Sequence, residues 1–287
     1  MNTRGYTLLA VLAHPDDESF GMGGTLAEYA RRGVAVHLAC ATRGEVGSMD
    51  EDCLDGFASV AERREAELRC AAGILGLAGV HFLGYRDSGM PGSADNHHPN
   101  ALAAQPIEAV AARVAHLIRQ LRPQVVLTFD PIGGYKHPDH IACHAATLRA
   151  FHLAGDEHFV DDLPPYRPQK LYFHVMPKGW MKLAIAIMPL LGLDPHRFGR
   201  NKDIDLVEIV RDGDFPVHAR VDIGSVLDKK EAASACHASQ LGSGPPQSRL
   251  LRWIFRWLGN SESFMRAIPL PDKGHRERDL FEGVSLP

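Results

Sequence analysis

The sequence predicts an α/β protein, a Rossmann-like three-layer sandwich with a mainly parallel sheet, followed by a less regular C-terminal portion. Apolar runs typical of strands alternate with helical patterns through the first half of the chain. Some of these runs, such as VVLTF at 125–129, are apolar on both faces, which is typical of parallel strands covered by helices on either side. The composition agrees, because 45% hydrophobic and 23% charged residues are typical of a folded globular protein.

The first half is predicted to consist of repeated strand–helix units. Its first helix stops at Gly33, a residue type that commonly ends helices. The predicted strands are 6–13, 34–42, 80–85 and 125–130, and the predicted helices are 22–32, 60–75, 107–121 and one beginning near Pro138. Right-handed crossovers place the carboxyl ends of parallel strands at one edge of the sheet, where the sites of such folds are built.

The second half is less regular, because Asp and Pro interrupt the pattern at 153–168. A mostly apolar stretch at 180–193 is shorter than the roughly 20 residues needed to cross a bilayer, so it predicts a buried helix or a lid. The remaining predicted elements are strands at 170–176 and 217–223, a capped helix at 225–239, a loop at 241–247 and a final helical segment.

We expect residues 1–287 to form a single domain, although a length of 287 residues corresponds to one or two domains of roughly 150 residues. In this interpretation, residues 1–155 form the core that carries the functional site. Residues 156–287 complete the fold and shape specificity.

The charge balance and the cysteines limit the partners and the location. Lys and Arg total 31 against 35 for Asp and Glu, a formal charge of -4 that argues against nucleic acid, because phosphate binding needs a basic face. A small, uncharged or mildly polar substrate fits better. The N-terminus lacks the pattern of a signal peptide, and the five cysteines form no CxxC pair, so we expect a cytoplasmic protein with unpaired thiols. The 16 histidines direct attention to metal or acid–base chemistry.

The cluster His14-Pro15-Asp16-Asp17-Glu18 follows the first predicted strand and therefore lies at a carboxyl strand end. His14 and one of the two aspartates can ligate one zinc ion, while the other aspartate accepts a proton from the attacking water. The spacing does not decide which aspartate does which. The alternative is a solvated acidic turn that caps the next helix.

A second cluster, Tyr135-Lys136-His137-Pro138-Asp139-His140, follows the strand at 125–130 and opens another helix. Because strand ends share one edge in a parallel sheet, a histidine from this cluster can join the ligands of the first cluster. Three protein ligands with a fourth position left open to solvent are the arrangement of catalytic zinc sites. His144 lies one helical turn after His140, but a fourth protein ligand would close the site, so we interpret it as structural.

These paired motifs, AHPDDE at 13–18 and GGYKHPDH at 133–140, resemble the LmbE-like (PIG-L) family of zinc-dependent de-N-acetylases. Four other stretches are similar to family blocks, namely RGE at 43–45, RREAEL at 63–68, RDSGM at 86–90 and KKEAASACHASQ at 229–240. The resemblance covers residues 6–155 well and the rest in patches.

The resemblance implies three zinc ligands: His14, Asp17 and His140. It implies Asp16 as the general base. It also implies that His137, held by Asp139, stabilises the oxyanion or protonates the leaving amine, and that Tyr135 assists. Such a His–Asp pair would stabilise the developing charge by on the order of 3 kcal/mol per donor, and Asp139 would raise the pKa of the imidazole.

The resemblance further implies that Arg64 lies near the substrate sugar and that Glu45 and Asp87 contact hydroxyl groups. Ordinary alternatives exist for two of them, because Arg64 is predicted on a charged helix face and Asp87 in a turn.

Some features of the sequence suggest functions other than hydrolysis. The glycines at 21–24 suggest a nucleotide-binding domain, but the full G-x-G-x-x-G pattern is absent and the HPDDE cluster occupies the turn a pyrophosphate would need. The aromatic and basic stretch 250–258, with 180–193, suits contact with anionic lipid. We favour a core or subunit-contact helix there, which is compatible with a homo-oligomer. A metal-holding binding protein is disfavoured by the presence of both Asp16 and His137.

We therefore expect a cytoplasmic zinc hydrolase that removes an acetyl group from an N-acetylglucosamine-type sugar conjugate, a small-molecule substrate. Amidases that cleave thiol-sugar conjugates are the alternative within the same family. The residues after HPDDE, beginning with Ser19, include no nearby lysine, which favours deacetylation. The aglycone does not follow from these residues.

Overall fold

The computed structural model describes residues 5–176, 178–197, 204–241 and 260–286. The strands in these ranges are β1 (Thr7–Leu12), β2 (Ala35–Cys40), β3 (Gly79–Phe82), β4 (Val125–Phe129), β5 (Lys170–His174), β6 (Ala219–Asp222) and β7 (Ser261–Ile268). The helices are α1 (Asp17–Phe20), α2 (Gly23–Arg31), α3 (Val60–Leu75), α4 (Ile107–Leu121), α5 (Gly133–Lys136), α6 (Pro138–Leu153), α7 (Lys178–Ile187), α8 (Leu206–Asp212) and α9 (Leu227–Cys236).

The strands form one mixed sheet in the order β3-β2-β1-β4-β5-β7-β6. The first five strands in this order run parallel, and β7 runs antiparallel to both of its neighbours. The chain builds outward from β1 to β3, then returns to the other side of β1 with β4. The carboxyl ends of β1 and β4 therefore flank the point where the strand order reverses, which is where α/β sheets bind ligands.

Helices cover the sheet because their apolar residues recur at helical spacing. In α4 the buried apolar residues are Val110, Ala111, Val114, Ala115, Leu117 and Ile118, which lie on one side of the helix. Helices α4 and α6 pack together, and α3 packs with α9. All five residues of β4 are buried, as expected for a strand covered on both faces. The predicted α/β three-layer fold with a mainly parallel sheet is confirmed.

The C-terminal portion continues this sheet through β5, β6 and β7. Its last described residues also pack on the core, where Tyr29 Oη donates to Asp279 Oδ1 at 2.9 Å and Phe281 is fully buried. Strand β7 was not among the strands predicted from the sequence, which placed only a final helical segment after the loop at 241–247. Its burial does not alternate, so it lacks the period-two pattern of a half-buried strand.

Two predictions for this portion are corrected. The stretch 180–193 was predicted to be a buried helix or a lid, and the buried helix is wrong: α7 and a following 3₁₀ turn lie at the surface, where Leu190 is 83% exposed. The lid stays a prediction. The helix predicted at 225–239 is shorter, and no side chain caps α9, because its N-cap residue is Val226. The stretch 250–258 lies outside the described residues. Within the described ranges, each helix is too short or too polar to span a bilayer.

The expectation of unpaired thiols is also wrong for two cysteines. Cys70 near the end of α3 and Cys236 at the end of α9 form a disulfide, which links residues 166 positions apart. Cys40 and Cys143 are buried free thiols.

Candidate metal and catalytic site

The two predicted clusters meet at the edge of the sheet. Strands β1 and β4 pair directly in register Leu8↔Val125, so the turns that follow them lie side by side. The first turn carries His14 two residues beyond the end of β1. The second leads into α6, where Pro138 occupies the first helical turn, as predicted.

Three donor side chains converge between these turns. His14 Nδ1 lies 3.3 Å from His140 Nε2, and His140 Nε2 lies 3.2 Å from Asp17 Oδ1. His14 Nδ1 lies 3.6 Å from Asp17 Oδ2. A tetrahedral zinc ion with bonds of about 2.0–2.1 Å separates its ligand atoms by roughly 3.3 Å. The two imidazoles and the carboxylate therefore have both the chemistry and the spacing of a zinc-binding donor set.

The outward nitrogens of the two imidazoles are held as well. His14 Nε2 lies 3.0 Å from Asp139 Oδ2, and His140 Nδ1 lies 3.2 Å from the carbonyl oxygen of Gly133. With the proton on these outer nitrogens, each ring donates a hydrogen bond and leaves its inner nitrogen free to bind a metal. Carboxylate and carbonyl partners of this kind orient metal-ligating histidines in known metal sites.

Other donor groups lie close together around the same histidine. His14, His137 and His140 place donor atoms within 4.8 Å of one another, and so do His14, Asp87 and Asp139. In the second group both carboxylates face His14 Nε2, at 3.4 Å and 3.0 Å. These carboxylates are partners of the outer nitrogen rather than an open ligand set.

The structure corrects the predicted role of Asp139. Its carboxylate contacts His14 and accepts hydrogen bonds from Ser88 Oγ at 2.5 Å and Ser88 N at 2.9 Å. Only its backbone N–H reaches His137, donating to Nδ1 at 3.2 Å. Burial lowers the pKa of His137 to about 2, and the neighbouring imidazoles of His14 and His140 act in the same direction. The predicted increase in the pKa of His137 is therefore wrong. The carboxylate of Asp139 holds His14 instead of His137.

Asp16 is held in an unusual backbone conformation beside the donor set. Its φ is 128°, a region that residues other than glycine rarely adopt. Arg64 Nη2 donates to Asp16 Oδ2 at 3.0 Å and to the carbonyl oxygen of Pro15 at 2.7 Å. Burial raises the pKa of Asp16 to about 6, although Arg64 acts in the opposite direction. The carboxyl group thus lies in a buried environment that weakens its acidity.

Arg64 lines the cleft beside the donor set. Its hydrogen bonds go to the protein, since Nη1 also donates to the carbonyl oxygen of Gly44 at 3.1 Å. Its Nε has no hydrogen-bond partner among the described residues. The guanidinium therefore fastens the turn at Asp16 to the loop at Gly44.

The remaining predicted residues fall into two groups. Asp87 and Tyr135 line the cleft, while Glu45 is not among its lining residues. Glu45 Oε2 instead accepts from the backbone N–H of Asp87 at 3.0 Å. Burial opposes ionisation of Asp87, but the neighbouring His14 outweighs it and holds the pKa of Asp87 well below its usual range. The ring centroid of Tyr135 lies 4.9 Å from that of His140.

The cleft has a volume of about 350 Å³, within the range of small-molecule sites. The sequence did not single out several of its lining residues: Ser48, Met90, Ser93, Ile204 and Gln240. Met90 and Gln240 end the RDSGM and KKEAASACHASQ stretches, so those blocks carried a signal for them. A larger cavity of about 560 Å³ between β3 and α4 contains no predicted site residue.

His144 Nδ1 lies 2.9 Å from the carbonyl oxygen of Phe129, in agreement with a structural role.

The chain is similar to known proteins over most of its length. The family profile "PIG-L: GlcNAc-PI de-N-acetylase" matches residues 9–151. The chain is 36% identical to the 1D-myo-inositol 2-acetamido-2-deoxy-alpha-D-glucopyranoside deacetylase of Acidothermus cellulolyticus, covering 98% of this chain and 96% of that protein. It is 37% identical to the enzyme of the same name from Thermobifida fusca, covering 98% and 100%.

Two solved structures share the fold. The conserved protein TT1542 from Thermus thermophilus has a TM-score of 0.61 at 26% identity, covering 93% of this chain and 97% of that one. N,N'-diacetylchitobiose deacetylase from Pyrococcus horikoshii has a TM-score of 0.62 at 21% identity, covering 93% and 87%. Together with the sequence relatives, the whole-length matches show that the chain belongs to the PIG-L (LmbE-like) family of de-N-acetylases, hydrolases that cleave an amide bond.

Proposed function

We propose that the protein is a zinc-dependent deacetylase that removes the acetyl group from an N-acetylglucosamine-type sugar conjugate. The observation that carries the proposal is the convergence of His14, Asp17 and His140 at 3.2–3.6 Å, with Asp16 at the rim of the same cleft. Zinc bound by these three side chains would supply Lewis acidity, polarising the amide carbonyl and making water a stronger acid.

Asp16 acts as the general base that takes the proton of the attacking water. Its carboxylate lines the cleft, and its position is fixed by Arg64 at 3.0 Å. A base held in place in this way contributes roughly 10²–10⁴-fold to the rate of such reactions.

His137 stabilises the negative charge that develops on the carbonyl oxygen. Because its Nδ1 accepts the N–H of Asp139, the proton of the neutral ring is on Nε2, where it can be donated to the substrate. One such donor is worth about 3–4 kcal/mol in the transition state. Tyr135 also lines the cleft and assists His137 there.

The substrate proposal rests on the full-length relatives. Their names specify 1D-myo-inositol 2-acetamido-2-deoxy-alpha-D-glucopyranoside, and the matches extend over the C-terminal portion. That portion contributes Ile204 and Gln240 to the cleft, and its strands continue the sheet. This supports a single catalytic domain over residues 1–287. Arg64 and Asp87, which line the cleft, remain our candidates for contacts around the sugar, whereas Glu45 holds the backbone of Asp87.

The test is acetate release by the zinc-loaded protein from a panel of substrates. The panel contains the inositol glucosaminide above, free N-acetylglucosamine, N,N'-diacetylchitobiose and a thiol-sugar conjugate amide. We expect the inositol compound to have the highest kcat/KM. If only the thiol-sugar conjugate amide is cleaved, the protein is a conjugate amidase and the proposed deacetylase function is wrong.

The variant Asp16→Asn tests whether Asp16 is the general base. Its matched control is Asp55→Asn, because Asp55 is an exposed aspartate outside the cleft. We expect Asp16→Asn to keep its zinc and to lose at least about 100-fold in kcat. Near-normal turnover of Asp16→Asn would show that Asp16 is not the base.

A further inference from the structure

A buried ion pair behind the cleft has no role in the mechanism described so far. Glu18 and His237 are both 0% exposed, and His237 Nε2 lies 2.7 Å from Glu18 Oε1. The two residues are 219 positions apart and neither lines the cleft. Ser19 Oγ also donates to Glu18 Oε1, at 2.5 Å, so His237 is one of two side chains that hold this buried carboxylate, which would be costly to leave unpaired.

The second oxygen of Glu18 contacts the proposed base. Glu18 Oε2 accepts the backbone N–H of Asp16 at 3.0 Å. Asp16 has a φ of 128°, a strained backbone conformation for a residue other than glycine. The strained conformation persists only where its surroundings hold it, and here Arg64 holds the carboxylate while Glu18 holds the backbone.

His237 is itself anchored to the core on both sides in the chain. The preceding residue, Cys236, is bonded to Cys70 of α3. Two residues later, Ser239 donates to the carboxylate of Glu67, also on α3, from N at 3.0 Å and from Oγ at 2.7 Å. The imidazole therefore sits on a segment with little freedom to shift.

We propose that Glu18 and His237 are positioning residues, which hold the backbone of Asp16 in the conformation that aims its carboxylate into the cleft. This inference rests on the proposed function, in which Asp16 is the general base. It assigns a role in the chemistry to the CHAS segment of the C-terminal portion. Since the pair does not touch the cleft, it acts on kcat and not on substrate affinity or zinc content.

The experiment compares three replacements of His237. Glutamine places an amide N–H near the position of Nε2 and keeps the hydrogen bond to Glu18, whereas asparagine is too short to reach it and leucine has no donor. We expect His237→Asn and His237→Leu to lower kcat by about 10- to 100-fold, the cost of a small displacement of a reacting group. KM for the inositol glucosaminide and zinc per protein should stay within twofold, and His237→Gln should recover most of the lost kcat.

Each outcome separates this inference from the proposed function when Asp16→Asn is measured in parallel, with kcat normalised to zinc-loaded protein. If Asp16→Asn is inactive while His237→Asn and His237→Leu turn over normally, the positioning role is wrong and the proposed base stands. Equal losses in the Gln and Asn variants, or loss of zinc together with kcat, would also overturn it. A fully active Asp16→Asn removes the proposed base and this inference together.

Discussion

Replacing Asp139 tests the contact that the sequence did not predict. Its carboxylate is fully buried and holds His14 Nε2 at 3.0 Å, while Ser88 donates to it from both N and Oγ. If this carboxylate orients a metal ligand, its loss lowers zinc affinity. If it acted on His137, as the sequence predicted, its loss would lower kcat at unchanged zinc affinity.

The expected magnitude differs between two variants. In Asp139→Asn the amide oxygen can still accept from His14 and from Ser88 N, while the amide N–H faces the Ser88 hydroxyl, so chiefly the negative charge is lost. Removing partners of metal ligands costs 10–100-fold in affinity. We expect about 10-fold for Asp139→Asn, or about 1.4 kcal/mol. We expect about 100-fold for Asp139→Ala, which leaves the N–H groups of His14 and Ser88 without an acceptor.

The assay is zinc competition against a chromophoric chelator, with kcat measured separately at saturating zinc. Asp205→Asn is the matched control, because Asp205 Oδ2 lies 2.9 Å from His196 Nδ1 and Asp205 does not line the cleft. The control should bind zinc as the unchanged protein does. Zinc affinity within twofold of normal in Asp139→Ala, accompanied by a fall in kcat, would refute the reasoning.

Two further predictions concern the scaffold. Replacing Cys70 and Cys236 together by serine should lower the free energy of unfolding by about 5 kcal/mol. This value is the chain-entropy contribution of a disulfide that closes a loop with a sequence separation of 166 residues. Identical urea midpoints for the variant and the oxidised protein would contradict this prediction. Gly44→Ala should lower kcat at least about 10-fold, because a Cβ at this position of φ +67° would overlap the guanidinium of Arg64. Gly56→Ala is the control for backbone strain, because Gly56 has a φ of +84° and no neighbour within 4 Å of the added Cβ. An equal loss of kcat in both variants would show that backbone strain, and not the overlap with Arg64, causes the loss.

The sequence was most informative where the pattern is local. Helices α3 and α4 begin and end at the predicted residues, because apolar spacing and helix-ending residues act within a few positions. The two clusters could be predicted because each comes after an apolar strand in the chain. The arrangement of parallel strands then brings those strand ends together.

Predictions failed where the partner is distant in the chain. His14 and Asp139 are 125 positions apart, and in the sequence the nearest histidine to Asp139 is His140 or His137. The motif HPDH therefore suggested that Asp139 pairs with His137, whereas in the folded protein its carboxylate contacts His14 at the end of β1. Strand β7 was missed for a related reason, because its partners β5 and β6 come from separate segments.

By itself, the sequence determined the fold class, the two clusters at the ends of β1 and β4, and the chemical types of the donors, since these depend on short-range periodicity and on chain geometry. Only the tertiary structure decided which side chain holds which: Asp139 against His14, Arg64 against Asp16, and His237 against Glu18. These pairings depend on rotamers and on packing between segments far apart in the chain. Neither follows from the spacing of a motif, because the contacts of a side chain depend on which groups the folded chain places within hydrogen-bonding distance of it.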